Sequence, residues 1–381
     1  MTTEALRVFV VSPPGLEQLV AAELNELGIT GTVENGGVEW TGWLADVRTS
    51  NLWLRTASRV LVRVGEFRAR TFFELERLSA RMPWAKFLSA DRAVTLRVTA
   101  RKSKLYHEGA IAERLFRAIA ETAGARAHMA GSEEQDGEHA QLFVVRVLRD
   151  NFTISADASG ALLHRRGYRQ EIGKAPLRET LAAALLRAAH WTGQAPLLDP
   201  FCGSGTIPIE AALLARNVAP GLAGAARQAR AYAFEHWPQH DEQQWLSEVA
   251  RARTQIRGKV SVPILASDRD GGAVRTARAN AARAGVESDI EWAVAPLSQA
   301  PLPAAAGLLV TNPPYGQRVS ADTELRDLYA ALGTLVREKL TTWSVAMLSA
   351  DARLDGQMRL PLTVVAETRN GGIPVRIVTH A

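Results

Sequence analysis

The chain opens on an alternating stretch, Leu6-Arg7-Val8-Phe9-Val10, whose period of two marks a strand. Pro13-Pro14-Gly15 breaks it, and Leu16, Leu19, Val20 and Leu24 then recur at helical spacing. Further short strands are expected at Val60-Leu61-Val62-Arg63-Val64, at Val94-Thr95-Leu96-Arg97-Val98 and over residues 142 to 148. A helix around Ile111 to Phe116 falls between the last two, so the first 160 residues read as α+β. Residues 125 to 140, rich in Ala, Gly and acids, are expected to form a loop.

From about residue 174 the pattern changes to strands alternating with helices, as in a doubly wound parallel sheet. Leu197-Leu198 leads through a Gly-rich turn to a helix over 207 to 216. Pro263-Ile264-Leu265-Ala266 leads to Asp268 and a helix over 273 to 284 that Gly285 can terminate. Leu308-Leu309-Val310 leads to Asn312. Each strand thus delivers polar residues at its carboxyl end, where open α/β sheets bind ligands. Val345 to Leu348 and two strands joined at Asn370-Gly371-Gly372 close the chain, the latter as a hairpin. A hairpin closing an otherwise parallel sheet resembles the Rossmann-like class I methyltransferase fold, so the fold class is α/β with an N-terminal α+β region.

Composition narrows the function classes. The apolar runs are far shorter than the roughly 20 residues that span a bilayer, and the N-terminus lacks the basic and apolar pattern of a secretory signal. A cytoplasmic location is therefore expected. Cys202 stands alone, and the eight histidines show no metal-ligand spacing, so neither a disulfide nor a metal is expected. The net charge of +5 suits an acidic partner. Residues 55 to 104 hold 13 Lys or Arg against 4 Asp or Glu, an excess larger than that of the whole chain. Phe67, Phe72, Phe73 and Trp84 are interleaved with them, which favours a folded basic face over a disordered tail.

The chemistry-bearing motifs lie in the second half. In Asp199-Pro200-Phe201-Cys202-Gly203-Ser204-Gly205-Thr206, Gly203 and Gly205 allow close backbone approach, and the N–H groups at the following helix start favour a carboxylate. The octapeptide resembles the S-adenosylmethionine loop of amino-methyltransferases, in which Asp199 would receive the cofactor's ammonium. Asp268 is placed to bind the ribose hydroxyls, while Asp270 is expected to cap the next helix. Asn312-Pro313-Pro314-Tyr315 offers two acceptors for an exocyclic amine, the Asn312 side-chain oxygen and the Pro313 carbonyl. Tyr315 is expected to stack on an extruded base. Arg178 and Thr180 head a helix and are assigned either to capping or to cofactor contact. His164-Arg165-Arg166-Gly167-Tyr168-Arg169 is a basic junction suited to a phosphate backbone. These residues alone reach an exocyclic amine on a base, with adenine N6 and guanine N2 both open.

Several segments together are similar to the THUMP-domain family of RNA guanine-N2 methyltransferases over nearly the whole chain. In the front half they are Pro13-Pro14-Gly15-Leu16-Glu17, Ser103-Lys104-Leu105-Tyr106, Asp157-Ala158-Ser159-Gly160 and the basic junction. In the back half they are Ala175-Pro176-Leu177-Arg178-Glu179, the octapeptide, Ala219-Pro220-Gly221, Phe234-Glu235-His236-Trp237 and Asn312-Pro313-Pro314-Tyr315-Gly316. The resemblance implies a ferredoxin-like domain over 1–65, a THUMP RNA-binding domain over 66–160 and a methyltransferase domain over 161–381. It implies S-adenosylmethionine as cofactor and guanine N2 of structured RNA as target, 23S rRNA first and tRNA second. Arg101, Lys102, Lys104, Arg165, Arg166 and Arg169 are then the expected RNA contacts. A ribosome-assembly protein that binds RNA without methylating it is the alternative of another class. One departure stands out: Pro296 occupies the place where the family often carries an adenine-binding Asp, which leaves adenine to a backbone group or to Arg269.

Overall fold

The computed structural model describes residues 4–89, 92–123, 140–169, 177–303, 305–315 and 322–380. The expected loop at 125–140 lies almost wholly outside them, as do Ala175, Pro176 and Gly316 of the family segments. Two seven-stranded sheets organise the chain. No helix among the described residues is long and apolar enough to cross a membrane.

The first sheet contains β1 (Leu6–Val11), β2 (Thr32–Glu34), β3 (Gly37–Gly42), β4 (Arg59–Arg68), β5 (Ala93–Arg101), β6 (Ala140–Leu148) and β7 (Asn151–Asp157), in the order β2-β3-β1-β4-β7-β6-β5. All its pairings are antiparallel except β5 with β6, which are joined through α4 (Glu108–Ala123) as a parallel crossover requires. The expected division at 65/66 falls inside β4. The early part of that strand pairs with β1, and its length from Leu61 to Arg68 pairs with β7. Helices α1 (Glu17–Glu26), α2 (Leu44–Trp53) and α3 (Phe72–Ser79) complete this half.

The second sheet contains β8 (Leu197–Asp199), β9 (Ile264–Asp268), β10 (Glu291–Val294), β11 (Leu308–Thr311), β12 (Ser344–Ser349), β13 (Thr363–Asn370) and β14 (Ile373–His380). Its order, β10-β9-β8-β11-β12-β14-β13, is parallel from β10 to β12 and antiparallel in the closing hairpin. The chain steps outward from β8 to one side and then returns to begin β11 on the other. The switch point, where such sheets bind ligands, is therefore between β8 and β11. Around the sheet lie α5 (Glu179–Ala188), α6 (Thr206–Ala215), α7 (Glu242–Thr254), α8 (Gly271–Arg283), α9 (Asp322–Lys339) and α10 (Ala352–Gln357). Strands buried on both faces, such as β11 with four buried residues in four, explain why they read as continuous apolar runs.

The halves are joined by polar contacts that several family segments supply. Gln141 Oε1 accepts from Trp237 Nε1 at 2.8 Å, the Tyr232 hydroxyl donates to the Asn51 carbonyl at 3.0 Å, and the Phe234 N–H donates to the Ala158 carbonyl at 3.1 Å. Gly221 sits where a Cβ would lie 2.2 Å from the Tyr232 hydroxyl, so no larger residue fits without displacement. Arg48 pairs with Glu248 at 2.7 Å across the same joint.

Candidate active site

The carboxyl ends of β8, β9 and β11 bring together the residues expected to carry the chemistry. Asp199 ends β8 and is buried, with Oδ1 accepting from the Thr311 hydroxyl at 2.7 Å and the Phe201 N–H at 3.2 Å. Burial, with Asp268 nearby adding repulsion, pushes its carboxyl up to about 7. No cation neutralises it among the described residues. A buried acid poised in this way suits a ligand that brings an ammonium.

The loop beyond Asp199 is pinned from both sides. The Cys202 N–H donates to the Ser267 carbonyl at 2.9 Å, and the Gly203 N–H donates to Asp268 Oδ2 at 3.0 Å. Gly203 has φ +51°, and a Cβ there would meet nothing within 4 Å, so that face of the loop is open. Gly205 has φ +84°, and a Cβ there would lie 2.9 Å from that of Ala277, so glycine is needed to pack α6 against α8. Asp268 Oδ1 accepts from the Asp270 N–H, which leaves each carboxylate oxygen a second lone pair for a hydroxyl. Asp270 caps α8 through Gly272, as expected.

Asn312 follows β11 directly. Its Oδ1 is buried and has no hydrogen-bond partner among the described residues. An amide oxygen desolvated without a donor costs roughly 1–3 kcal/mol, and a substrate N–H group would satisfy it. Thr311, the neighbour that holds Asp199, was not singled out in the sequence. The only signal for it was a hydroxyl at the end of an apolar run.

Four expected roles need correction. Tyr315 is 2% exposed and packs in the core, and its hydroxyl accepts from Asn370 Nδ2 at 2.9 Å. Its ring has no free face to stack on a base. Arg166 is 3% exposed, donating to the carbonyls of Leu163 and Arg55 at 2.7 and 2.6 Å and facing Glu210 at 3.5 Å. Arg169 donates to the Leu177 carbonyl at 2.6 Å and the Thr206 hydroxyl at 2.9 Å, and pairs with Glu179. Neither arginine reaches a phosphate, because each is spent joining the basic junction to α5 and α6. Thr206, buried at the start of α6, has its hydroxyl engaged by Arg169 rather than offered to the loop.

The remaining expected residues lie as follows. Arg178 occupies the N-cap position of α5 but makes no capping bond, and its side chain is exposed. Thr180 is buried in the first turn of that helix. Arg269 and Pro296 are exposed near the carboxyl ends of β9 and β10, beside the Asp268 carbonyl that accepts from the Ala295 N–H. Arg165 is exposed at the junction.

Arg101, Lys102 and Lys104 are exposed together at one end of the first sheet. Asp150 organises that end, accepting from the Lys104 N–H at 2.8 Å and from Arg70 Nε at 2.8 Å. Elsewhere in the basic segment Arg55 is buried, Arg59 pairs with buried Asp157 and Arg63 pairs with Glu39 at 2.9 Å, while Arg68, Arg70, Arg77, Arg81 and Arg97 are exposed. Of the interleaved aromatics Trp84 is core and Phe67 stacks on Phe152, while Phe73 is 71% exposed.

A family model described as the RMKL-like methyltransferase domain matches residues 166–378, and one described as the RlmL ferredoxin-like domain matches 7–61. The chain belongs to the RMKL-like methyltransferase family. A Synechocystis protein named "Putative RNA methyltransferase" is 31% identical over 98% of this chain and 96% of its own length. The ribosomal RNA large subunit methyltransferase K/L of Syntrophotalea carbinolica is 35% identical over 98% of this chain, which spans about half of that relative, 53%. A crystal structure of a methyltransferase complexed with S-adenosylhomocysteine superposes with TM-score 0.88 at 30% identity, covering 100% of this chain and 98% of that one. This methyltransferase uses S-adenosylmethionine, and the pinned loop, the uncompensated Asp199 and the ribose-ready Asp268 fit that cofactor.

Proposed function

We propose that the enzyme methylates the exocyclic N2 amine of a guanine in structured RNA, 23S rRNA, with the first sheet as the docking half. The observation that carries the reading is the buried, unpartnered Oδ1 of Asn312 at the switch point, an acceptor waiting for an amine hydrogen. The names of the relatives support RNA as the substrate class, since one relative is named for RNA and another for the large ribosomal subunit. The guanine N2 atom rests on the family resemblance of the motifs. The three-part division at 65/66 and 160/161 belongs to the same proposal as a division of the sequence into segments, the first two of which share one sheet.

In this scheme Asp199 binds the ammonium of the cofactor, the loop N–H groups face its carboxylate, and Asp268 takes the ribose hydroxyls. The cofactor supplies a methyl group activated as a sulfonium. Asn312 Oδ1 and the Pro313 carbonyl each accept one hydrogen of the guanine amine, which turns the nitrogen lone pair toward the methyl carbon. With the amine so held, the bound cofactor would give up its methyl group to the nitrogen and leave as the thioether, and the surplus proton on nitrogen would pass to water. Arg101, Lys102, Lys104 and Arg165 meet phosphates, which position the RNA without reading sequence.

Nucleoside mass spectrometry of rRNA and tRNA from a deletion strain tests this. N2-methylguanine is expected to vanish from one 23S position, to return on complementation and to stay absent with Asn312→Ala. Loss from tRNA alone would move the substrate, and loss of N6-methyladenine would overturn the assigned atom.

A further inference from the structure

Asn370 was expected to serve the hairpin turn that follows it. In the structure that turn is made by Gly371 and Gly372, at φ +57° and +89°, and Asn370 is the last residue of β13. Its side chain is free for another task. Asn370 is 5% exposed, and Nδ2 donates to the Tyr315 hydroxyl at 2.9 Å. Tyr315 is itself 2% exposed and lies three residues after Asn312 in the same proline-stiffened loop. Two consecutive prolines leave that segment little backbone freedom, so anchoring its far end restricts the near end too. The acceptor oxygen of Asn312 is thereby tied to an element remote in sequence.

The strand carrying Asn370 needs support of its own. Among the described strands β13 is the outermost of its sheet and pairs with β14 alone, and it has a register irregularity between Val364 and Ala366. The Pro13-Pro14-Gly15 turn of the N-terminal half abuts it. A Cβ at Gly15 would lie 1.9 Å from the Glu367 carbonyl oxygen, and Gly15 has φ +79°, so only glycine allows this backbone approach. Glu367 is three residues before Asn370.

We propose that Asn370 is a positioning residue for methyl transfer: through the Tyr315 hydroxyl it fixes the loop that presents Asn312, and the Gly15 turn braces its strand. The proposal rests on the reading of Asn312 as the amine acceptor. It also gives the first turn of the docking half a contact path to the reacting atoms.

The test uses the full chain, tritiated S-adenosylmethionine and total RNA from a deletion strain, with single-turnover methyl transfer, calorimetric cofactor affinity and thermal melting measured on each variant. Asn370→Ala and the milder Tyr315→Phe are each expected to slow transfer about 10- to 100-fold, since small misplacement of a reacting group costs that much. The double variant should be no slower than the worse single one, because both remove one bond. Cofactor affinity should stay at the wild-type value throughout, and Gly15→Ala should slow transfer in the same direction. Additive losses, or cofactor affinity falling in step with rate, would overturn the proposal, as would a wild-type rate for Asn370→Ala beside a slow Asn312→Ala. A wild-type rate for Asn312→Ala removes the acceptor reading, and the proposal falls with it.

Discussion

The two sheets use their charged residues in opposite ways. In the first, and at the junction that follows it, one set of arginines works inward: Arg55, Arg59 and Arg166 are buried, and Arg63 is tied to Glu39. In the second, the site is built around an acid, Asp199, that no cation among the described residues neutralises, and an amide oxygen, that of Asn312, that no donor among them meets. Those inward arginines have acids or carbonyls of the chain itself as partners. The catalytic half is left incomplete where its strands converge. What sets Asp199 and Asn312 apart is their place at the switch point, where a ligand can meet them.

Removing a built-in partner should have the largest effect. Arg166→Ala leaves Glu210 buried without its ion-pair partner, which is expected to cost about 3–5 kcal/mol of stability. Denaturant unfolding would show this, and the RNA affinity of the folded fraction should be unchanged. If RNA binding falls while stability holds, the inward reading of the junction is wrong.

A smaller effect separates the incomplete half. Because burial holds the Asp199 carboxyl up to about 7, the folded protein keeps its proton more readily than the unfolded chain does. The cofactor-free protein therefore loses this contribution to stability as pH rises from about 4 to about 7. Cofactor binding runs the other way, since the ammonium needs the ionised form. Calorimetry should show affinity rising about tenfold between pH 6 and pH 8, with proton release on binding below pH 7, and Asp199→Asn should flatten the profile. A flat wild-type profile would remove Asp199 from the ammonium site.

The smallest effect belongs to the exposed end of the first sheet. Replacing Arg101, Lys102 and Lys104 by Ala should leave melting unchanged and weaken RNA binding at low salt. The slope of log affinity against log salt should fall by about 2, as expected for the loss of up to three phosphate contacts. An unchanged slope would place the docking surface elsewhere.

What the sequence disclosed follows from how local each feature is. The loop from Asp199 to Thr206 and the tetrapeptide at Asn312 are each contiguous in sequence, so their places at the ends of β8 and β11 were legible. Arg166 and Arg169 were misread because a basic run looks the same whether its side chains face water or a buried acid. Glu210 and Glu179, the acids that decide the matter, lie 44 and 10 residues further along the chain. Tyr315 was misread for the same reason, since only the fold brings Asn370 to its hydroxyl. The strand β7 was passed over although Phe152, Ile154 and Ala156 alternate on its buried face. Alternation alone did not separate it from the turn residues on either side.

The position of β4 limits how such proteins can be rearranged. Its ten residues serve two neighbours in succession, β1 over Arg59 to Val62 and β7 over Leu61 to Arg68, so a cut at residue 65 would split the ladder with β7 rather than release a module. Recombination or limited proteolysis that respects backbone hydrogen bonding has to take the whole first sheet or leave it. The half built on the first sheet should therefore be exchanged between enzymes as one cassette, with its seam after β7.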